Sequence, residues 1–157
     1  MVASVDDATK ALYAREAGEV AADLDAVADA ALALDASDGS LFVAGFCWGG
    51  SQSFALATRR PKLKAAFVFY GGAPKEAEAL AKVECPVYGF YAENDARING
   101  GIAATEEAMK TAGKVYEPEI YPGAGHGFLR AGEAADASEG NRTAREAAWK
   151  RWLGHMR

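Results

Sequence analysis

The sequence is short of the residues that would make it a metal or disulfide scaffold. Two cysteines and two histidines stand among 157 residues. No Cys-x-x-Cys or His-x-x-x-His pair is among them, which excludes a disulfide framework and a Cys/His zinc module, so neither a metal nor another cofactor is expected. So few cysteines also fit a cytoplasmic chain. Basic charge is in deficit: 17 Lys and Arg face 22 Asp and Glu, a net charge of −5. Arg59, Arg60 and Lys62 form the one notable basic cluster. A nucleic-acid surface needs a basic face, so nucleic acid is excluded as a partner. No apolar run approaches the length of a membrane span, and the N-terminus lacks the charged and apolar regions of a secretory signal, so a membrane is excluded too. Neither GxGxxG nor GxxxxGK[ST] occurs, which weakens any reading as a phosphate-binding or flavodoxin-like domain. What is present is the composition of a compact fold, 50% apolar and 25% charged. A chain of this length can bury roughly two-thirds of its unfolded surface, and one domain, residues 1–157, is the expectation.

Apolar residues recur at Val20, Leu24, Val27, Ala31 and Leu34, with Asp23, Asp25 and Asp29 between them, which predicts an amphipathic helix. Leu41 to Phe46 is an uninterrupted apolar run, the pattern of a parallel strand covered on both faces. Further strands are predicted at Ala65 to Tyr70, Pro86 to Tyr91 and Val115 to Tyr121, with helices at Ser51 to Arg60 and Ile102 to Ala112. Pro118 cannot donate to a ladder and places the last strand at a sheet edge. A closing helix has Ala148, Trp149, Trp152, Leu153 and Met156 as its apolar face and Arg142, Arg145 and Arg151 looking outward; residues 130–140 read as a long loop. Alternating strands and helices give an α/β class with about four mainly parallel strands.

Candidate chemistry lies at the carboxyl ends of these strands. Gly45-Phe46-Cys47-Trp48-Gly49-Gly50 joins a buried strand to a helix. A nucleophile on such a turn sits in a strained conformation, glycines two before and two after it avoid clashes between strand and helix, and the helix N-terminus favours thiolate. The backbone N–H of Trp48 would be one oxyanion donor. Cys47 reads equally as a buried small apolar residue in an ordinary strand-to-helix turn. A thiol nucleophile needs a base and usually an acid to orient it. His126, in a glycine-rich loop after the fourth strand, is the candidate base, while His155 falls on the polar side of the last helix and reads as solvated. Asp95 follows the third strand and is the candidate acid, with Glu93 its rival and a simple turn role the plainer reading. Cys85 reads as structural.

The order Cys, Asp, His, each after a different strand, is that of the α/β-hydrolase triad. Gly45 to Gly50, Phe69-Tyr70-Gly71, Asp95 and His126-Gly127-Phe128-Leu129-Arg130 together resemble the dienelactone hydrolase family, the carboxymethylenebutenolidases, from about Ala8 onward. The resemblance implies a truncated α/β-hydrolase fold lacking the family's N-terminal strands, and an ester or lactone hydrolase working through an acyl-enzyme. It implies Cys47 as nucleophile, His126 as base and Asp95 as its orienter. Arg130 then matches a position that binds a substrate carboxylate, pointing to a small anionic ester or lactone, and Tyr70 one beside the thiol. A solvated loop arginine and a core aromatic are the plainer readings of these two. The other class of function is a weak or inactive remnant that binds small carboxylates or self-associates. Without the family's N-terminal strands, Leu41 to Phe46 becomes an exposed apolar edge, from which a homodimer or higher homo-oligomer is expected.

Overall fold

The computed structural model describes residues 4–156 and divides the chain into two compact units, Met1–Gly39 and Ser40–Arg157. The first holds two helices, α1 (Val5–Tyr13) and α2 (Ala17–Leu32). Ser4 caps α1: its Oγ accepts from the Asp7 N–H at 3.1 Å and donates to the Asp7 carboxylate at 2.9 Å. Arg15 bridges to Glu19 and Asp23 on the exposed start of α2. The stripe predicted on α2 is turned by about one residue. Val20 and Ala28 are buried, whereas Val27 and Leu34 are mostly exposed. The inner line therefore steps by fours through Leu24 to Ala28, and Val27 falls on the neighbouring line.

The second unit alternates strand and helix as expected. Its elements are β1 (Phe42–Phe46), α3 (Trp48–Ala57), β2 (Ala65–Phe69), α4 (Ala77–Leu80), β3 (Val87–Ala92), α5 (Ala96–Asn99), α6 (Ile102–Thr111), β4 (Tyr116–Tyr121), α7 (Phe128–Ala131) and α8 (Glu139–His155). All four strands are parallel in the order β1-β2-β3-β4. β1 is an edge: Ala44 and Phe46 are exposed although their sequence suits a buried strand. At the other edge, Val87 N–H donates to Val115 and Glu93 N–H to Tyr121, so the odd-numbered residues of β4 face β3 and the missing N–H of Pro118 points outward.

Side-chain parity sorts the two faces of the sheet. Phe67, Phe69 and Phe90 form the heart of the core with Ala144 and Ala148 of α8, and the Trp152 ring lies 5.0 Å from Phe69 and 5.9 Å from Phe67. On the opposite face Phe54 of α3 packs on Tyr116 at 5.6 Å. Two expectations for α8 fail here. Trp149, Leu153 and Met156 are exposed, and Arg151 turns inward. Its guanidinium donates to the Gly89 carbonyl at 2.8 Å and the Glu117 carbonyl at 2.7 Å, pairs with Glu119 at 3.1 Å, and lies 4.5 Å above the Phe90 ring. A long aliphatic stem lets arginine lie along an apolar sheet while its head finds carbonyls. His155 likewise is not solvated: its ring stacks on Tyr88 at 3.7 Å. The expected loop 130–140 is shortened from both ends by α7 and α8.

Candidate active site

Cys47 stands between β1 and α3 with φ 55° and ψ −119°, a left-handed conformation that a side chain adopts only under strain. Close packing of helix on strand holds it there. A Cβ at Gly45 would fall 1.9 Å from the Gly49 carbonyl oxygen, and one at Gly50 would fall 2.6 Å from the Phe69 oxygen. A Cβ at Gly71, across from them, would meet Gly50 at 2.4 Å. The sequence reading paired Gly45 with Gly49; space at Gly49 is open, and Gly50 is the second glycine that the packing requires. The Cys47 N–H is tied to the Phe69 carbonyl at 3.0 Å, which fixes the turn to β2.

The loop after β4 brings His126 to this turn. Its Nε2 lies 3.1 Å from Cys47 Sγ, and its Nδ1 lies 2.5 Å from Asp95 Oδ2. An ionised carboxylate only accepts, so Nδ1 carries the proton and Nε2 is left to accept from the thiol. Asp95 is 7% exposed and caps α5, accepting from the Ile98 N–H. Its rival Glu93 points elsewhere: Oε2 accepts from the Gly123 N–H at 2.8 Å and so pins the loop that carries His126. The same loop is held from α8, where Asn141 Oδ1 accepts from the Gly125 N–H at 2.8 Å, and from β3, where Asn94 N–H donates to Ala124. Asn99 secures the Asp95 turn, donating to the carbonyls of Ala92 at 2.8 Å and Glu93 at 3.2 Å. Neither asparagine stood out in the sequence, because short caps and latches leave no periodic trace; α5 spans only Ala96–Asn99.

Trp48 directly follows Cys47 as the first residue of α3, so its N–H has no partner within the helix. Tyr70 also has positive φ, 41°, and its ring lies 5.1 Å from that of His126; burial pushes its hydroxyl well up. Cys47, Tyr70, His126 and Arg130 line one cleft of about 580 Å³ with Phe46 and Trp149. Burial pushes the Cys47 thiol up from its ordinary value, Arg130 pulls it down, Asp95 pushes it up and Arg97 pulls it down, with a net rise. Burial, the largest of these influences, thus outweighs the two cations and favours the protonated thiol. Arg97, on α5, was not picked out by the sequence reading. Cys85 is buried and far along β3 from this cleft, and burial raises its thiol as well. Among the described residues no cluster of His, Cys, Asp and Glu could hold a metal ion, and no helix is long and apolar enough to cross a membrane.

Comparison with known proteins bears on the family and the fold. A "Putative carboxymethylenebutenolidase" of Saccharolobus solfataricus is 39% identical over 114 residues, covering 72% of this chain and 42% of the relative. One of the same name from Escherichia coli K12 is 33% identical over 120 residues, covering 70% and 44%. The chain thus spans less than half the length of these curated relatives. Among solved structures, the "Putative Dienelactone Hydrolase" of Klebsiella pneumoniae superposes with a TM-score of 0.74 at 31% identity, over 87% of this chain and 60% of that one. The metagenomic protein P91 superposes with a TM-score of 0.78 at 22% identity, over 97% and 66%, which speaks to the fold alone. Residues 3–157 match the model of the dienelactone hydrolase family, and the chain belongs to that family.

Proposed function

We propose that the chain hydrolyses small esters or lactones through Cys47, His126 and Asp95. The observation that carries this is the continuous contact from Cys47 Sγ through both nitrogens of His126 to the Asp95 carboxylate. His126 Nε2 takes the thiol proton as Sγ attacks the carbonyl carbon, and Asp95 holds the ring and stabilises the imidazolium that forms. The oxyanion develops beside the Trp48 N–H. Collapse re-forms the carbonyl and breaks the bond from its carbon to the alkoxide oxygen, His126 returns the proton to that leaving alkoxide, and an acyl-enzyme remains. Water then loses a proton to His126 as it attacks the acyl carbon, releasing the acid and the thiol. Arg130, exposed at the rim of the cleft, supports an anionic substrate, since a guanidinium pairs with a carboxylate; Tyr70 forms the wall beside the thiol.

The test is hydrolysis of an activated phenyl ester. Cys47→Ala and His126→Ala should each lose on the order of 100-fold or more in turnover, while Cys85→Ala retains it. Should Cys47→Ala hydrolyse as fast as the parent, the enzyme reading falls and a carboxylate-binding role takes its place. The reading includes self-association through β1, whose outer side has no neighbouring strand among the described residues and which exposes Ala44 and Phe46. A monodisperse monomer in light scattering at micromolar protein overturns that part.

A further inference from the structure

The proposed chemistry occupies the face of the sheet covered by α7 and α8. A second cleft of about 560 Å³ opens on the other face, between the loop after β2, α5 and α6, and shares no lining residue with the first. Tyr91 and Tyr116 reach into it. The Tyr116 hydroxyl donates to that of Tyr91 at 2.8 Å, and Tyr91 is only 1% exposed. Each phenol has one proton to give. With that of Tyr116 directed at Tyr91, the Tyr91 proton meets no acceptor among the described residues, so a buried donor is left over. The charged side chains lining the cleft are Lys75 and Arg97, both exposed cations, and no carboxylate lines it. Its walls include the buried Leu80 and Ile102.

An unmatched donor, two cations without counter-charge and apolar walls are complementary to one kind of small molecule. We propose that this cleft binds a small carboxylate with an apolar body, such as an aryl carboxylate. The carboxylate accepts from Tyr91 and pairs with Arg97 and Lys75, while the body lies against Leu80 and Ile102. The site stands independently of the hydrolase reading. It also has a consequence for Cys47. Arg97 is one of the two cations that pull the thiol down, so an anion bound to Arg97 weakens that pull and leaves the thiol more firmly protonated.

Titration of the intact chain with benzoate, followed by calorimetry, tests the proposal. Benzoate should bind saturably, and neutral benzyl alcohol at least about tenfold more weakly, because the charged contacts carry the affinity. Arg97→Gln should weaken benzoate about tenfold and Tyr91→Phe several-fold, with Lys150→Gln, an exposed lysine of α8 that lines neither cleft, unchanged. Circular dichroism checks that each variant folds; Arg97 is exposed, so Arg97→Gln decides the matter even if Tyr91→Phe does not fold. Absence of saturation by benzoate overturns the site. So does an affinity lost in Arg130→Gln and kept in Arg97→Gln, which would put benzoate in the cleft of Cys47.

Discussion

Replacing Arg151 by methionine should destabilise the fold although it lies on a helix face that sequence periodicity assigns to solvent. The side chain is 15% exposed, and its guanidinium makes two hydrogen bonds to sheet carbonyls, an ion pair with the half-exposed Glu119, and a stack over Phe90. Strand pairing at β3 and β4 already engages the odd-numbered residues of β4, so the arginine binds carbonyls that are not orphaned when it leaves. That limits the loss to the bonds themselves, about 1 kcal/mol each, with about 1 kcal/mol for the cation–π contact and about 0.5 for the ion pair. Methionine restores part of the apolar cover, and the desolvation that the arginine suffers in the native state is relieved, so the net loss is about 2 kcal/mol. For a chain of this size that is a fall of about 4–8 °C in melting temperature. Urea unfolding followed by tryptophan fluorescence reports it, since Trp152 packs on Phe69 in the same layer. Lysine at 151 keeps the charge and loses the fork, and should fall between methionine and the parent. If Arg151→Met stays within about 0.5 kcal/mol of the parent, the level of ordinary surface changes, the claim that this arginine ties α8 to the sheet is wrong.

The glycines of the Cys47 turn should separate cleanly. Gly45→Ala and Gly50→Ala put a Cβ into backbone atoms and should each destabilise by about 3 kcal/mol or more, whereas Gly49→Ala, in open space on α3, should be neutral or stabilising by up to about 1 kcal/mol; equal effects in denaturant melts would refute the packing account. Glu93→Ala and Asn141→Ala release the loop that carries His126, and each should slow ester hydrolysis about tenfold with the melting temperature changed by no more than a few degrees, a combination that a purely structural role does not produce. Alkylation of Cys47 by a neutral reagent should have a midpoint above the ordinary cysteine value of about 8.5, because burial favours the protonated form. Arg130→Gln should move that midpoint further up and Asp95→Asn should move it down; a rate already at its plateau near neutral pH would contradict the net rise.

β1, β2 and β3 were legible as short apolar runs, and the proposed triad because its three residues follow strand ends, where a parallel sheet gathers reacting groups. The position of Pro118 was legible down to its edge, since a missing donor has one tolerable place in a sheet. Rotation of a helix about its axis was not. On α8 the periodicity placed Ala148 and Trp152 inward, where they are, but also Trp149 and Leu153, which are exposed, and it missed Ala144 and Arg151, which face the sheet beside the Trp152 ring. Hydrophobic pattern measures transfer from water, and it has no term for an arginine that satisfies carbonyls while lying on a phenyl ring. Glu93 shows the same limit from the polar side. Its position after β3 suited a catalytic acid as well as Asp95 did, and what separates them is the direction of each carboxylate, which two residues of backbone decide.

That direction matters to the proposed mechanism because burial favours the protonated form of Cys47. A thiolate formed in advance by a helix terminus would tolerate a loosely placed histidine, since the proton would already be gone. A thiol raised by burial loses its proton only as it attacks, so Nε2 must stay within hydrogen-bond reach of Sγ throughout. Three separate anchors hold His126 to that requirement: Glu93 on Gly123, Asn94 on Ala124, and Asn141 on Gly125. They come from the turn after β3 and from α8, so the base is fixed by elements that also build the core. The nucleophile is fixed just as firmly, by the contacts of Gly45 and Gly50 and the bond from Cys47 N–H to Phe69. In the proposed mechanism, this placement of Cys47 and His126 does what a preformed thiolate would otherwise do, while Arg130 and Arg97 offset part of the effect of burial.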